Sequence, residues 1–265
     1  METKYRSERL INFGILLTIL LIVQTIFTLV VRPQADGWLA SERAAVAANP
    51  NHKPERSWFV IVKDPEQESA IILALWSIAL AVRKALTLRA QRRQLGADLI
   101  RLQPGFRILP EDVREQGRHL ESLPPAQRDL IVPRTIRRSL KRFGETRDVQ
   151  DAATTVHDFC ESEAARLDSE LAPIRFCVWA IPAIGFVGTV RGIGRALEGA
   201  QLALRGDTSA VTSGLGISFN STFVALTLSI LLMYILHEIQ LAQERLVLDT
   251  ELYVDDKVIS NFQSR

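Results

Sequence analysis

Cysteine is nearly absent from the chain, and the two residues present, Cys160 and Cys177, are too few to build the disulfide framework that staples small secreted domains. Glycine and proline, at 14 and 11 residues, follow no triplet period and are too sparse for a collagen-like or low-complexity chain. A charge of one sign is missing in bulk, because 32 Lys and Arg stand against 30 Asp and Glu and leave a formal +2. The local absence is more informative: from Ile11 to Val31 there is no charged residue at all. The 265 residues are enough for a buried core and for one large domain or two small ones, and 47% of them are apolar. These apolar residues are pooled into a few long blocks with the charges between them, which is the pattern of a membrane protein.

The first block, 11–31, is long enough at 1.5 Å per residue to cross about 30 Å of hydrocarbon. It exceeds the apolar core of a signal peptide, and no small-x-small cleavage site precedes Arg32, so it reads as a membrane helix. A second span is expected over 69–88, its apolar part lengthened by Arg83 and Lys84, whose long stems let their charges snorkel toward water. Two more are expected over 174–192 and 211–236, with Arg175 at the edge of the third. The fold class is therefore all-α: a polytopic membrane protein with four transmembrane helices and long cytoplasmic helical extensions.

Orientation follows from Lys and Arg. The region 89–173, together with Arg83 and Lys84, is the densest basic stretch of the chain, which places it in the cytoplasm. An even number of crossings separates it from the N-terminal segment 1–10, with Lys4, Arg6 and Arg9, and from the C-terminal segment 237–265, so both termini are expected to be cytoplasmic. The segments 32–68 and 193–210 become external loops, the first flanked by Trp38 and Trp58 as interfacial anchors. Helical spacing of Val149, Val156, Cys160 and Leu167 predicts a helix over 145–171 that runs into the third span. Leu241, Leu248, Leu252 and Ile259 carry the last span on past His237 as a helix.

Enzyme signatures are missing. No phosphate loop is present, and the run from Gly185 to Gly194 neither matches GxGxxG nor follows a strand. Gly185, Gly188 and Gly192, with Pro182, read instead as helix-packing residues, small side chains that let helices approach closely in lipid and join copies of the chain. His157 and Cys160 have a helical i, i+3 spacing, but a zinc site needs more ligands and no second pair is present, so neither a metal nor any other cofactor is expected. The basic run from Arg134 to Arg142 lacks interleaved aromatics and reads as a solvated or lipid-facing surface, with no nucleic-acid partner.

Hydroxyl residues mark the last two spans. Ser218, Thr222 and Ser229 share one helical face, with Ala225 between them, and Thr189 lies in the third span. If the two helices are neighbours, Thr189, Ser218 and Thr222 line a weakly polar seam; alternatively, each hydroxyl bonds its own i−4 carbonyl. Asn220 lies about 200° around the helix from Ser218 and faces a different neighbour. No Asp, Glu, Lys or His lies deep in any expected span, so a proton relay through this chain needs a carboxylate from elsewhere.

The run Ile181-Pro-Ala-Ile-Gly185-Phe-Val-Gly188-Thr189-Val-Arg-Gly192-Ile resembles the APLLGLLGTVWGI-type motif of the MotA/TolQ/ExbB proton channel family. Leu215-Gly-Ile-Ser218-Phe-Asn-Ser-Thr222-Phe-Val-Ala225-Leu is similar to that family's fourth-span helix, and the resemblance runs from Glu161 to Glu244. It implies a proton or sodium channel, or stator, subunit of the bacterial inner membrane, a homo-oligomer with a pentameric ring. The ring would surround the helices of a single-span partner of the ExbD, TolR or MotB kind, which carries an intramembrane Asp. By position Thr189 matches the family threonine of the third span, and Ser218 stands where the fourth-span threonine usually lies. Arg191 replaces the usual aromatic near the outer mouth. Ion flow would be coupled to mechanical work; the competing function is a non-conducting four-helix membrane scaffold that recruits cytoplasmic proteins.

Overall fold

The structure, a computed structural model, describes residues 2–49, 57–96 and 107–263. Among the described residues the chain is helical without a strand, and Ile108 and Phe262 form one isolated parallel bridge. Four helical stretches are long and apolar enough to cross a membrane: Arg6–Ala48, Pro65–Leu95, Val149–Glu198 and Ser209–Asn261. The chain is an all-α polytopic membrane protein.

It divides into two compact units. The first comprises residues 1–81 and 173–236, the second 82–172 and 237–265. In the first unit, α1 (Glu2–Ile26) passes through a π turn, Phe27–Val31, directly into α2 (Arg32–Ala48). The Arg32 N–H bonds the Phe27 carbonyl, five residues back, and this widened turn lies just ahead of Pro33, whose ring would crowd a regular one. Val23, Phe27 and Val31 are buried here, with Ile19, Val62, Ile71 and Ile72 packed against them. The segment 32–68, expected as a loop, is thus helical as far as Ala48, and α3 (Trp58–Val62) follows. Ala40, Ala44, Ala45, Ala47 and Ala48 favour helix strongly enough to carry α2 past its polar start. α4 (Pro65–Leu95) starts four residues before the expected span, with Pro65 at its head and Glu66 and Glu68 in its first turn, a favourable arrangement at a helix N-terminus. The second expected loop, 193–210, also shrinks: α9 (Ala172–Glu198) continues to Glu198, α10 (Ala200–Ala203) follows, and α11 (Ser209–Lys257) begins two residues before the expected fourth span.

In the second unit, α5 (Val113–Glu121), α6 (Pro125–Arg128), α7 (Ile131–Thr146) and α8 (Val149–Ser169) surround a small core. Ile136, Leu140 and Phe143 of α7, with Val156, Phe159 and Cys160 of α8, are buried. Asp148 caps α8 by accepting from the Gln150 N–H, 2.8 Å away. Buried Glu163 is bound by Arg134 at 2.9 Å and Arg166 at 2.7 Å, so its charge is compensated twice. α11 (Ser209–Lys257) is unbroken, in line with the helix expected beyond the fourth span. After it the chain returns to the core, where Phe262 stacks on Phe143 at 4.1 Å.

Candidate functional site

The site forms where α9 meets α11, and glycine decides how near they come. A Cβ on Gly185 would stand 2.5 Å from the Ala225 Cβ, and one on Gly188 2.5 Å from the Ser221 Cβ. One on Gly192 would meet the Gly214 carbonyl oxygen at 2.6 Å and collide with the Ser218 hydroxyl. These three glycines therefore allow close contact within the chain, between α9 and α11. Pro182, inside α9, has no N–H to give the Val178 carbonyl, and the Ser229 hydroxyl of α11 donates to that carbonyl instead, at 2.9 Å. The role of Ser229 is thus to satisfy a backbone group that Pro182 leaves open.

Close approach brings the hydroxyls together. The Thr189 hydroxyl has the Gly185 carbonyl at 3.2 Å and the Ser218 carbonyl at 3.4 Å, and it contacts the Thr222 hydroxyl. The Ser218 hydroxyl has the Thr189 carbonyl at 3.0 Å and the Gly214 carbonyl at 3.2 Å. Both geometries considered from the sequence, own carbonyl and shared seam, are therefore available to the same hydroxyls. Each carries one proton, so the group holds more acceptors than donors and can rearrange without breaking the helices. Exposure separates its members: Ser218 is buried, while Thr189 and Thr222 are half-buried. Thr222 lines an open, largely apolar groove of about 580 Å³ with Trp58, Ile61, Phe219, Asn220, Phe223 and Leu226. Asn220 stands in that groove rather than at the seam.

Acidic residues lie nearer this seam than the sequence suggested. Glu66, at the head of α4, has its Cγ 3.2 Å from where a Gly188 Cβ would be, and its carboxylate binds the Arg191 guanidinium at 2.6 Å. Asp64 reaches the same guanidinium nitrogen at 3.3 Å. Next to Glu66, Gln67 is buried and donates to the Ser221 hydroxyl at 3.3 Å and the Ile61 carbonyl at 3.1 Å. Glu68 is buried with one oxygen on Arg32 at 2.6 Å. These acids do not lie deep in an expected span: Glu66 and Glu68 occupy the first turn of α4, ahead of residue 69. The helix itself begins at Pro65, four residues before the expected span, and so carries these side chains at its head. The Pro-Glu-Gln-Glu start was the signal available in the sequence.

The remaining candidates sit in the second unit. The His157 imidazole meets the Glu251 carboxylate at 2.9 Å, and this hydrogen bond raises its pKa from the ordinary value. Cys160 is buried, and desolvation pushes its thiol up to about 12, so it is neither a ready metal ligand nor a nucleophile. Among the described residues no group of three or more His, Cys, Asp and Glu is placed to hold a metal ion.

Four apolar helical stretches, two of them locked by glycines around a cluster of hydroxyls, define the class: a polytopic membrane protein with a small polar seam between apolar helices. Residues 127–251, just under half of the chain, match the model of the MotA/TolQ/ExbB proton channel family, and the matched region contains Thr189, Ser218, Thr222 and the whole α9–α11 contact. No curated protein and no solved structure matches the chain.

Proposed function

We propose that this protein is a proton or sodium channel subunit, of the stator kind, that works with a single-span partner bearing an intramembrane Asp to turn ion flow into mechanical work. The observation that carries the reading is the Thr189–Thr222 hydroxyl contact, which lies inside the family match and uses residues of both spans. Hydroxyls are neutral donors and acceptors, so they hold water and pass a proton without trapping an ion at the site. Thr222 opens onto a groove that a helix from another chain can enter, and a carboxylate brought there meets polar groups in an otherwise apolar wall. Ser218, enclosed behind the two threonines, orients Thr189 through its carbonyl. Arg191, held by Glu66 and Asp64, fixes the head of α4 against α9 beside the seam.

In this reading the protein is a homo-oligomer, a pentamer, in the inner membrane of a bacterium, with both termini cytoplasmic, Ala44 outside and Gln94 inside. The test is purification from membranes with whatever single-span protein accompanies it, followed by native mass measurement and ion flux in proteoliposomes. A ring of copies with a minority of single-span chains and a gradient-driven flux is expected. A stable complex without such a chain and without flux would refute the reading and leave a scaffold.

A further inference from the structure

In the second unit, α5 and α7 enclose a groove of about 550 Å³ with a basic rim. α5 lines it with Arg114 and Arg118, α7 with Arg137 and Lys141, each pair one helical turn apart, over a floor of Val113, Gly117 and Leu140. Glu121 is the one carboxylate on the rim. Among the described residues Arg114, Arg118 and Arg137 have no hydrogen-bond or ion-pair partner, and Lys141 has only exposed Glu145 at 3.9 Å. The groove is open at its centre because Gly117 has nothing within 4 Å of a would-be Cβ.

The same unit carries the complementary surface. Beyond the expected spans, in residues 89–173 and 237–263, the only large apolar side chains exposed among the described residues are Leu248 and Leu252 of α11, at 56% and 59%. They stand one turn apart, and at about 100° per residue Asp255 falls within about 20° of Leu248, with Glu244 about 40° to one side. Glu244 and Asp255 are exposed and, among the described residues, have no hydrogen-bond or ion-pair partner. Asp249 and Glu251, by contrast, are taken by Arg92 and His157. Leucines flanked by the free acids Glu244 and Asp255, with exposed Arg245 beside Leu252, fit an apolar floor flanked by bases and by Glu121.

We propose that the α5–α7 groove of one copy receives the Glu244–Asp255 stripe of α11 from the next copy. The two surfaces use different residues, so the contact is head-to-tail, and repetition closes it into a ring when the rotation between copies allows. It rests on the homo-oligomeric reading above and assigns the surfaces that join the copies outside the membrane. A lipid surface is a poorer occupant, because the groove's apolar floor is concave. Nucleic acid is poorer still, because no aromatic lines the floor for bases to stack on.

The test uses two differently tagged full-length copies expressed together, one with Gly117→Cys and the other with Leu252→Cys, treated in membranes with a short bismaleimide. Buried Cys160 and Cys177 form a silent background, checked on the unsubstituted chain. A cross-linked pair carrying both tags is expected. Arg114→Glu with Arg118→Glu on the Gly117→Cys copy should cut its yield severalfold, and Glu244→Lys with Asp255→Lys on the Leu252→Cys copy should restore it. Absence of the cross-link from membranes whose complex is oligomeric by native mass would overturn this interface and leave the channel reading standing, whereas a monomer would overturn both. Cross-linking indifferent to the charge reversals, with binding to phosphatidylglycerol vesicles lost instead, would overturn it in favour of a lipid surface.

Discussion

Replacing Gly192 by alanine adds a single methyl group at the tightest point between α9 and α11. That methyl would lie 2.6 Å from both the Gly214 carbonyl oxygen and the Ser218 backbone nitrogen, and no side-chain rotation relieves a clash with backbone. Ordinary contact needs the helices to part by roughly 1 Å there, an overpacking cost of about 1–3 kcal/mol. The parting also stretches the Ser218 hydroxyl to Thr189 carbonyl bond, now 3.0 Å, which adds about 1 kcal/mol. Gly194, two residues on in the same helix, has nothing within 4 Å, so Gly194→Ala should be neutral or stabilise by about 0.5–1 kcal/mol through helix propensity. Gly192→Ala should therefore be less stable than Gly194→Ala by about 2–5 kcal/mol. Denaturant titration of both in detergent, followed by circular dichroism, measures the difference. Equal stability of Gly192→Ala and Gly194→Ala would refute the packing argument.

Three further outcomes follow from single contacts. Ser229→Ala should cost about 1–3 kcal/mol, because the Val178 carbonyl loses its donor, and the cost should shrink in a Pro182→Ala background, where residue 182 regains an N–H; a double-mutant cycle reads the coupling. Arg191→Met should destabilise by about 3 kcal/mol by leaving Asp64 and Glu66 enclosed without their cation, and Glu66→Gln combined with it should recover part of the loss in the same denaturation assay. The His157 pKa, raised mainly by its bond to Glu251 and further by Glu161 and Asp158, should fall toward its ordinary value in Glu251→Gln when followed by NMR. Because it is raised in the folded state, the pair's contribution is complete below the ordinary histidine value and fades as pH rises through the folded one.

The apolar runs made the four helices legible, because a long stretch without charge suits hydrocarbon and little else. The seam was legible for a related physical reason: a 3.6-residue period places Ser218 and Thr222 on one face, and small residues at Gly185, Gly188 and Gly192 need something close by. Period alone did not say what that neighbour was, and it proved to be α11 of the same chain. The helix over 32–48 was hidden by Arg32, Pro33 and Asp36, which mark a loop unless a π turn absorbs the proline. The positions of Glu66, Gln67 and Glu68 were hidden because their burial depends on partners at Arg191, Ser221 and Arg32, each distant in sequence. Ser229 looked like part of the seam, and only the location of the Val178 carbonyl separates it from Thr222.

The central claim is that Thr189 belongs to an ion path, and Thr189→Val tests it most directly. Valine keeps the shape and removes the hydroxyl, at a cost of about 0.6–2 kcal/mol for the lost hydrogen bond inside a membrane, small enough for the complex to assemble. The measurement is ion flux in proteoliposomes holding the copurified complex, with native mass confirming that its composition is unchanged. The account predicts an intact complex that has lost most of its flux. Wild-type flux through a correctly assembled Thr189→Val complex would contradict it.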